Sequence, residues 1–187
     1  TPLYIAAFQG QVEVAKLLLA HAGVEANQAN TNGDTPLHIA ALQDRVDVAK
    51  LLLAHAGVEA NQANAQGNTP LYIAAFQGQV EVAKLLLAHA GVEANQANTN
   101  GDTPLHIAAL QGHVDVSKLL LAHAGVEANQ ANAHGDTPLH TAAFQGQVEV
   151  AKLLLAHAGV EANQANAQGN TPLYIAAFQG QVEVAKL

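Results

Sequence analysis

The chain has 187 residues, enough for one domain, and half of them are apolar, so a folded core can form. Its formal charge is −8, with only seven Lys and Arg residues. This balance argues against a nucleic-acid partner, because phosphate backbones are bound by clustered cations. The absence of cysteine excludes disulfides and thiolate sites, although it does not separate a cytosolic protein from a secreted one. We expect a cytoplasmic protein, with a secreted effector as the alternative.

Neither end of the sequence shows a membrane or targeting signal. No apolar run reaches the roughly 18 residues that a membrane-spanning helix needs, so we expect no membrane partner. No signal peptide is visible, but the chain opens at Thr1 in the middle of a pattern rather than at Met. We therefore expect a segment of a longer array.

The triplet Thr-Pro-Leu recurs every 34 residues and contains all six prolines of the chain. A fixed period of this length is typical of a repeat protein in which each unit shields the apolar face of the next. The first and third repeats are identical. We predict one array over residues 1–187, composed of the repeats 1–34, 35–68, 69–102, 103–136 and 137–170 and the partial repeat 171–187.

Each repeat predicts two helices, as the second repeat illustrates. Thr35 is a good N-cap and Pro36 fits the first helical turn, where its missing N–H costs nothing. In most repeats a Gln-Gly pair ends this helix, but here the pair is Gln43-Asp44. If the position needs a positive φ, Asp tolerates it better than most residues, though less well than Gly.

The second helix is predicted over residues 46–55, with Gly57 ending it, and a turn-rich arm follows over residues 58–68. Asp47 and Lys50 should face water. We expect the buried face of this helix to carry Val46, Val48, Leu51 and Leu52.

The repeat resembles the ankyrin repeat in residues 35–41 (TPLHIAA), 48–53 (VAKLLL) and 64–67, and the resemblance covers the whole chain. It implies an all-α repeat fold, an ankyrin-type solenoid of stacked antiparallel helix pairs with extended, hairpin-like arms. The tetratricopeptide repeat has a similar period, but its expected Trp and Tyr-Gly positions are absent. The unit is also one residue longer than the usual ankyrin period of about 33. The extra residue lies near the end of the second helix.

Histidine is the residue type with most chemical potential. In ankyrin proteins the first-helix histidine ties neighbouring backbone segments, which implies a structural role for His38, His106 and His140. Tyr4, Tyr72 and Tyr174 replace it in the other repeats, where a hydroxyl would act in a different geometry.

A second set of histidines recurs at the end of every complete second helix. A metal ladder or a pH switch is one interpretation, and a polar residue that complements the helix dipole is the favoured one. Protonation of all ten histidines would move the formal charge from −8 to +2, so we predict altered stability or association between about pH 5 and 7. The members of this set are His21, His55, His89, His123 and His157.

No residue pattern indicates catalysis, a metal site or a cofactor. Ser117 is the only serine and replaces a helix alanine, and no glycine-rich loop could hold a phosphate. Two sets of Asn residues should stack in register and hold arm backbone groups. They are Asn27, Asn61, Asn95, Asn129 and Asn163, and Asn30, Asn64, Asn98, Asn132 and Asn166.

The resemblance implies a non-enzymatic scaffold that binds a protein partner with its arm tips and the exposed side of its first helices. The alternative is a self-associating array in which uncapped repeats stack end to end. On the first helices, a row of Phe and Leu is either a binding stripe or packing: Phe8, Leu42, Phe76, Leu110, Phe144 and Phe178. The predicted partner-binding residues on these helices are Gln43, Gln77, Gln111 and Gln145. Those on the tips are Thr31, Asn32, Asp34; Ala65, Gln66, Asn68; Thr99, Asn100, Asp102; Ala133, His134, Asp136; and Ala167, Gln168, Asn170.

Overall fold

A computed structural model describes all 187 residues and consists of twelve short helices joined by turns, which confirms the all-α repeat prediction. The chain forms two compact units, Thr1–Glu93 and Ala94–Leu187. One continuous array over residues 1–187 stays a prediction. The first unit contains α1 (Pro2–Gln9), α2 (Val12–Leu19), α3 (Pro36–Leu42), α4 (Val46–Ala54), α5 (Pro70–Gln77) and α6 (Val80–Ala88). The second contains α7 (Pro104–Gln111), α8 (Val114–Ala122), α9 (Pro138–Gln145), α10 (Val148–Ala156), α11 (Pro172–Phe178) and α12 (Val182–Ala185).

The first helix of each repeat begins as the sequence predicts. Thr35 has extended backbone angles (φ −81°, ψ 169°), and its hydroxyl accepts a hydrogen bond from the His38 N–H. Pro36 follows at the first helical position, where no N–H partner is needed. The Thr-Pro pair therefore fixes where the first helix of each repeat starts.

The first helices end at a residue in the left-handed region, which confirms the prediction for the Gln-Gly pair. Gly112 closes α7 with φ 76° and ψ 23°. Asp44 occupies the equivalent position after α3 with φ 52°, and it is the only residue other than glycine with a positive φ. The chain then turns sharply into the second helix.

The second helix differs from the prediction in two respects. It ends at Ala54, where His55 adopts an extended conformation (ψ 127°), so Gly57 lies beyond the helix in the following turn rather than ending it. Its buried residues are Val48, Ala49 and Leu52, while Leu51 and Val46 are only half-buried. The face centred on Ala49 points inward because the small alanine lets the neighbouring helices approach closely.

Within each unit the helices stack by type. In the first unit α3 packs between α1 and α5, and α4 packs between α2 and α6. In the second unit α9 packs between α7 and α11, and α10 packs between α8 and α12. These contacts bury Leu37, Ala40 and Ala41 of α3 almost completely. No single helix pair could bury its apolar face in this way.

Each arm closes into a tight tip. The Asn30 N–H donates to the Asp34 carbonyl at 2.9 Å, and the Ala65 N–H of the next arm donates to the Asn32 carbonyl at 3.0 Å. Gly33 has φ 81°, and a Cβ added there would lie 2.7 Å from the Ala65 nitrogen. Glycine is therefore required twice at this position, for its conformation and for the close approach of two arms. These tips support the predicted hairpin-like arms.

None of the twelve helices combines the length and the apolar character that crossing a membrane would require.

Candidate functional site

One set of asparagines links the turn after each second helix to the next repeat. Asn27 Nδ2 donates to the Gly57 carbonyl at 2.6 Å, and Asn27 Oδ1 accepts from the Glu59 N–H at 3.0 Å. Asn129 makes the same two bonds to Gly159 and Glu161 in the second unit. Asn27, Asn61, Asn95 and Asn129 therefore each satisfy one backbone donor and one acceptor of the following repeat, as the sequence predicts, whereas Asn163 does not make these bonds.

The second set of asparagines holds the arm tips. Asn132 Oδ1 accepts from the N–H groups of His134 and Asp136, and its Nδ2 donates to Asp102 Oδ1 at 2.8 Å. Asn166 makes the equivalent bond to Asp136 Oδ1 at 2.7 Å. The Asp at the end of one arm therefore orders the tip of the next. The tips are consequently fixed by a network of hydrogen bonds rather than left as flexible loops.

The first-helix histidines have the structural role that the resemblance implies. His38 is buried, its Nδ1 accepts from the Thr35 N–H at 3.2 Å, and its Nε2 bonds the Asn68 carbonyl at 2.9 Å. This pattern requires a neutral ring with its proton on Nε2. Burial lowers the pKa of His38 and of His106, and the hydrogen bond to the backbone carbonyl opposes this shift.

Tyrosine acts differently at the same position. The Tyr4 hydroxyl accepts a hydrogen bond from Asn30 Nδ2 at 3.3 Å, within its own repeat. The longer ring thus reaches an arm side chain, whereas histidine reaches a backbone carbonyl. The Tyr4 hydroxyl therefore does not tie two backbone segments as the histidine does.

The second set of histidines lies where the second helices end, and His55, His89, His123 and His157 are the C-cap residues of their helices. This position fits the interpretation of a polar residue near a helix C-terminus. No group of three or more His, Cys, Asp or Glu side chains has a geometry that could hold a metal ion.

The predicted partner-binding residues of the arm tips fall into two groups. The five Asp and Asn residues that end the arms are half-buried: Asp34, Asn68, Asp102, Asp136 and Asn170. The others are exposed: Thr31, Asn32, Ala65, Gln66, Thr99, Asn100, Ala133, His134, Ala167 and Gln168. Their role in binding stays a prediction.

The first helices present large apolar side chains to solvent beside the predicted glutamines. Phe8, Phe76 and Phe144 are 45%, 40% and 46% exposed. Leu42 and Leu110 are half-buried, and Phe178 is exposed. Gln77, Gln111 and Gln145 are exposed and Gln43 is half-buried. The Phe side chains of this row are therefore partly covered and partly exposed, and their role in binding stays a prediction.

In the second unit, first helices and arms enclose a hollow of about 250 Å³, here called the Thr141 hollow. Its apolar walls are Ile107, Leu110, Phe144 and Ile175. Its polar lining consists of Asp102, His106, Asn132, Asp136, His140 and Thr141. The hollow brings two predicted tip residues, Asp102 and Asp136, together with two members of the first-helix row, Leu110 and Phe144.

Sequence reasoning missed one of the residues that line this hollow, Thr141. Five repeats carry Ile at the position of Thr141, so comparing the copies at that register would have singled it out. The Thr141 hydroxyl donates to the Pro138 carbonyl at 2.8 Å and lies 3.2 Å from the His106 carbonyl. The shorter side chain leaves room where an isoleucine would extend further.

Comparison with known proteins gives a consistent picture. A family model described as ankyrin repeats in three copies matches residues 1–64, 54–132, 87–166 and 124–187, which together span the chain. The crystal structure of the ankyrin repeat protein EF0377 is 29% identical, with a TM-score of 0.89 over 99% of this chain and 94% of that one. An ankyrin repeat domain of Acinetobacter baumannii AYE is also 29% identical, with a TM-score of 0.86 and the same coverage. No curated protein matches this chain.

Proposed function

Since this chain belongs to the ankyrin repeat family, whose repeats are generally protein–protein interaction modules, we propose that it is a non-enzymatic scaffold. It binds a protein partner through its arm tips and the exposed sides of its first helices. The observation that carries this proposal is the exposure of Phe8, Phe76 and Phe144, each at 40% or more. Burying a Phe side chain is worth roughly 1.5–3 kcal/mol, so Phe8 and Phe76 in the first unit and Phe144 in the second each offer apolar area suited to a partner.

The order of the arms supports the same function. Asn and Asp side chains join neighbouring tips within each unit through bonds of 2.7–2.8 Å, such as Asn132 to Asp102 and Asn166 to Asp136. A surface that is already ordered loses little conformational entropy when a partner binds. The side chains at the tips can therefore differ between repeats without disturbing the framework that presents them.

Site-specific photocrosslinking tests this proposal. A photoreactive amino acid at Gln145, exposed on the first helix α9, should crosslink a defined protein in extracts of the cells that make the chain. The matched control is Lys152, exposed on the second helix α10, where we expect no such product. Replacing Phe144 by Ser should reduce the Gln145 product at least fivefold. Equal crosslinking of the same proteins from both positions would contradict the proposal.

End-to-end association is the second candidate function. In this 187-residue polypeptide Leu173 is 56% exposed, whereas Leu37 at the same register is 2% exposed because another repeat covers it. Leu17 on α2 is 73% exposed. If the face around Leu173 of one molecule contacted the face around Leu17 of the next, and the series of contacts did not close into a ring, the product would be a filament. In sedimentation experiments the apparent molecular mass should then increase with protein concentration, and Leu173→Glu should abolish this increase. A monomer at every concentration would exclude end-to-end association.

A further inference from the structure

The Thr141 hollow lies where the nearly identical repeats differ from one another. Thr141 replaces an isoleucine that the other five repeats share. The arm-ending position is Asp34, Asn68, Asp102, Asp136 and Asn170 in successive repeats, so Asp102 and Asp136 are the only consecutive pair of acids. Both deviations line the same hollow. Most of the surface is repeated along the chain, and this part of it is not.

The charge of the hollow is negative. Asp102 and Asp136 contribute two carboxylates, and no Lys or Arg lines the hollow. His106 and His140 do not offset them, because Nδ1 of each ring accepts a backbone N–H and Nε2 bonds a backbone carbonyl, the pattern of a neutral ring. Oδ1 of each carboxylate accepts a hydrogen bond from the side-chain amide of an asparagine. This neutral donor orients the carboxylate without cancelling its charge.

The walls of the hollow are apolar. Ile107, Leu110 and Ile175 line it together with Phe144, which is 46% exposed. A volume of about 250 Å³ lies below the range of about 300–1,000 Å³ that is typical of sites for drug-sized ligands. The space therefore suits one long side chain better than a complete small-molecule ligand.

We propose that the Thr141 hollow binds an arginine side chain of the protein partner. This inference rests on the scaffold function proposed above. The aliphatic part of arginine packs on Ile107 and Ile175, and its guanidinium group lies against Phe144 and donates to Asp102 and Asp136. Arginine is preferred to lysine because its planar group stacks on an aromatic ring while several N–H groups reach carboxylates. The Thr141 oxygen, whose proton is already donated to Pro138, is a further acceptor.

Methyl NMR of threonine-labelled protein tests this inference with a defined probe, the peptide N-acetyl-Gly-Arg-Gly-amide. The Thr141 methyl signal is assigned by its loss in Thr141→Ile, a variant that restores the residue of the other repeats. We expect the Thr141 signal to shift in a saturable way, while the signal of Thr31, on an arm tip of the first unit, stays in place. An equal shift of both signals would mean unspecific attraction and would overturn the proposal.

Matched probes and variants separate charge from shape. The same peptide with citrulline in place of arginine should show no saturation, and the lysine peptide should bind several-fold more weakly. Combining Asp102→Asn with Asp136→Asn should weaken arginine binding at least tenfold. Asparagine stands naturally at this register in Asn68 and Asn170, so the fold is retained, as circular dichroism would verify. Equal binding of the citrulline peptide, the lysine peptide or the double variant would each overturn the proposal.

The variant Thr141→Ile, whose longer side chain fills the hollow, gives an independent test. In Thr141→Ile, saturation transfer from protein to arginine peptide should fall at least fivefold relative to the parent protein. An unchanged transfer would contradict the site. If Gln145 crosslinks a partner while the arginine peptide fails to bind, the scaffold function stands and this inference falls. If the peptide binds and no partner crosslinks, the hollow is an arginine-binding site, but the scaffold function falls and with it the assignment of that arginine to a protein partner.

Discussion

At the scale of single residues, Ser117 shows how an isolated change in a copied unit is tolerated. It occupies a register at which the other five second helices carry alanine. The side chain is completely buried, and its hydroxyl oxygen has no hydrogen-bond partner. A buried hydroxyl that loses its bonds to water without replacing them destabilises the folded state.

We expect Ser117→Ala to raise the free energy of unfolding by about 1–3 kcal/mol, because it removes this unpaired group at almost constant volume. Urea denaturation followed by circular dichroism would measure the change. The reverse substitution at the equivalent position, Ala151→Ser, should lower stability by a similar amount. A loss of stability in Ser117→Ala would show that the hydroxyl has a partner in solution.

The buried histidines give the fold a dependence on pH. Burial lowers the pKa of His38 and His106 in the folded state, so the unfolded chain binds protons more readily. Their contribution to stability is therefore complete above the ordinary pKa of about 6.5 and is lost as the pH falls through the lowered values. A proton on Nδ1 of His38 would also remove the hydrogen bond that this atom now accepts from the Thr35 N–H.

We predict that the free energy of unfolding falls between pH 7.5 and 5.5, and that His38→Tyr with His106→Tyr makes this fall shallower. Tyrosine is the natural residue at this register in three repeats, which makes the variant a conservative one. The control is His134→Gln, at an exposed position where two other repeats carry glutamine, Gln66 and Gln168. It should leave the slope unchanged. Identical slopes for the parent and the tyrosine variant would contradict the explanation.

At the scale of the helices, the turn between the two helices of a repeat depends on one left-handed residue. Helices of seven to nine residues, such as α3 and α4, are too short to be stable alone. The turn at Asp44 must therefore bring them together in the geometry that allows both to pack. An L-residue in this region costs roughly 1–2 kcal/mol relative to the right-handed conformation, and glycine avoids the cost.

We expect Asp44→Gly, which restores the residue of the other repeats, to stabilise the chain by about 1 kcal/mol. The same replacement at Asp47, which is exposed inside α4, should destabilise by about 1 kcal/mol because glycine is a poor helix former. Thermal unfolding of both variants would provide the comparison. Destabilisation by Asp44→Gly would indicate that the aspartate side chain, rather than the backbone angle, matters at the turn.

At the scale of the whole molecule, identical sequences differ in burial according to their neighbours. Residues 1–34 and 69–102 are the same sequence. Val14 of α2 is nevertheless 44% exposed, whereas Val82 of α6 is completely buried. In a repeat protein each unit is stabilised chiefly by its nearest neighbours, so the less covered copy should open more readily.

Because the chain has no cysteine, a single introduced thiol can report this opening. We expect Ala15→Cys to react with a thiol reagent at least tenfold faster than Ala83→Cys, although both alanines are fully buried. The difference follows from the additional apolar burial around Ala83, which is worth on the order of 1–3 kcal/mol. Equal rates would mean that both thiols become accessible only through global unfolding, which a denaturation curve of each variant would reveal.

The sequence by itself determined the period, the helix starts and the left-handed turns. Thr35, Pro36 and Asp44 could be interpreted without a structure because caps, proline and positive φ depend on groups within a few residues of the chain. The structural histidines could be assigned because the resemblance supplied their role. The exposed ion pair of Lys50 with Asp47, at 3.4 Å, also follows from local helix spacing.

Only the tertiary structure decided which atoms meet between repeats. Ala49 rather than Leu51 lies in the core because contacts with the neighbouring helices determine which face of α4 is buried. Asn27 reaches Gly57 across 30 positions in the chain, and Thr141 lines the same hollow as two aspartates from separate arms. Such distances depend on how copies stack, and a repeated sequence carries the same local information in every copy. The one distinctive hollow therefore becomes visible only when the repeats are packed together.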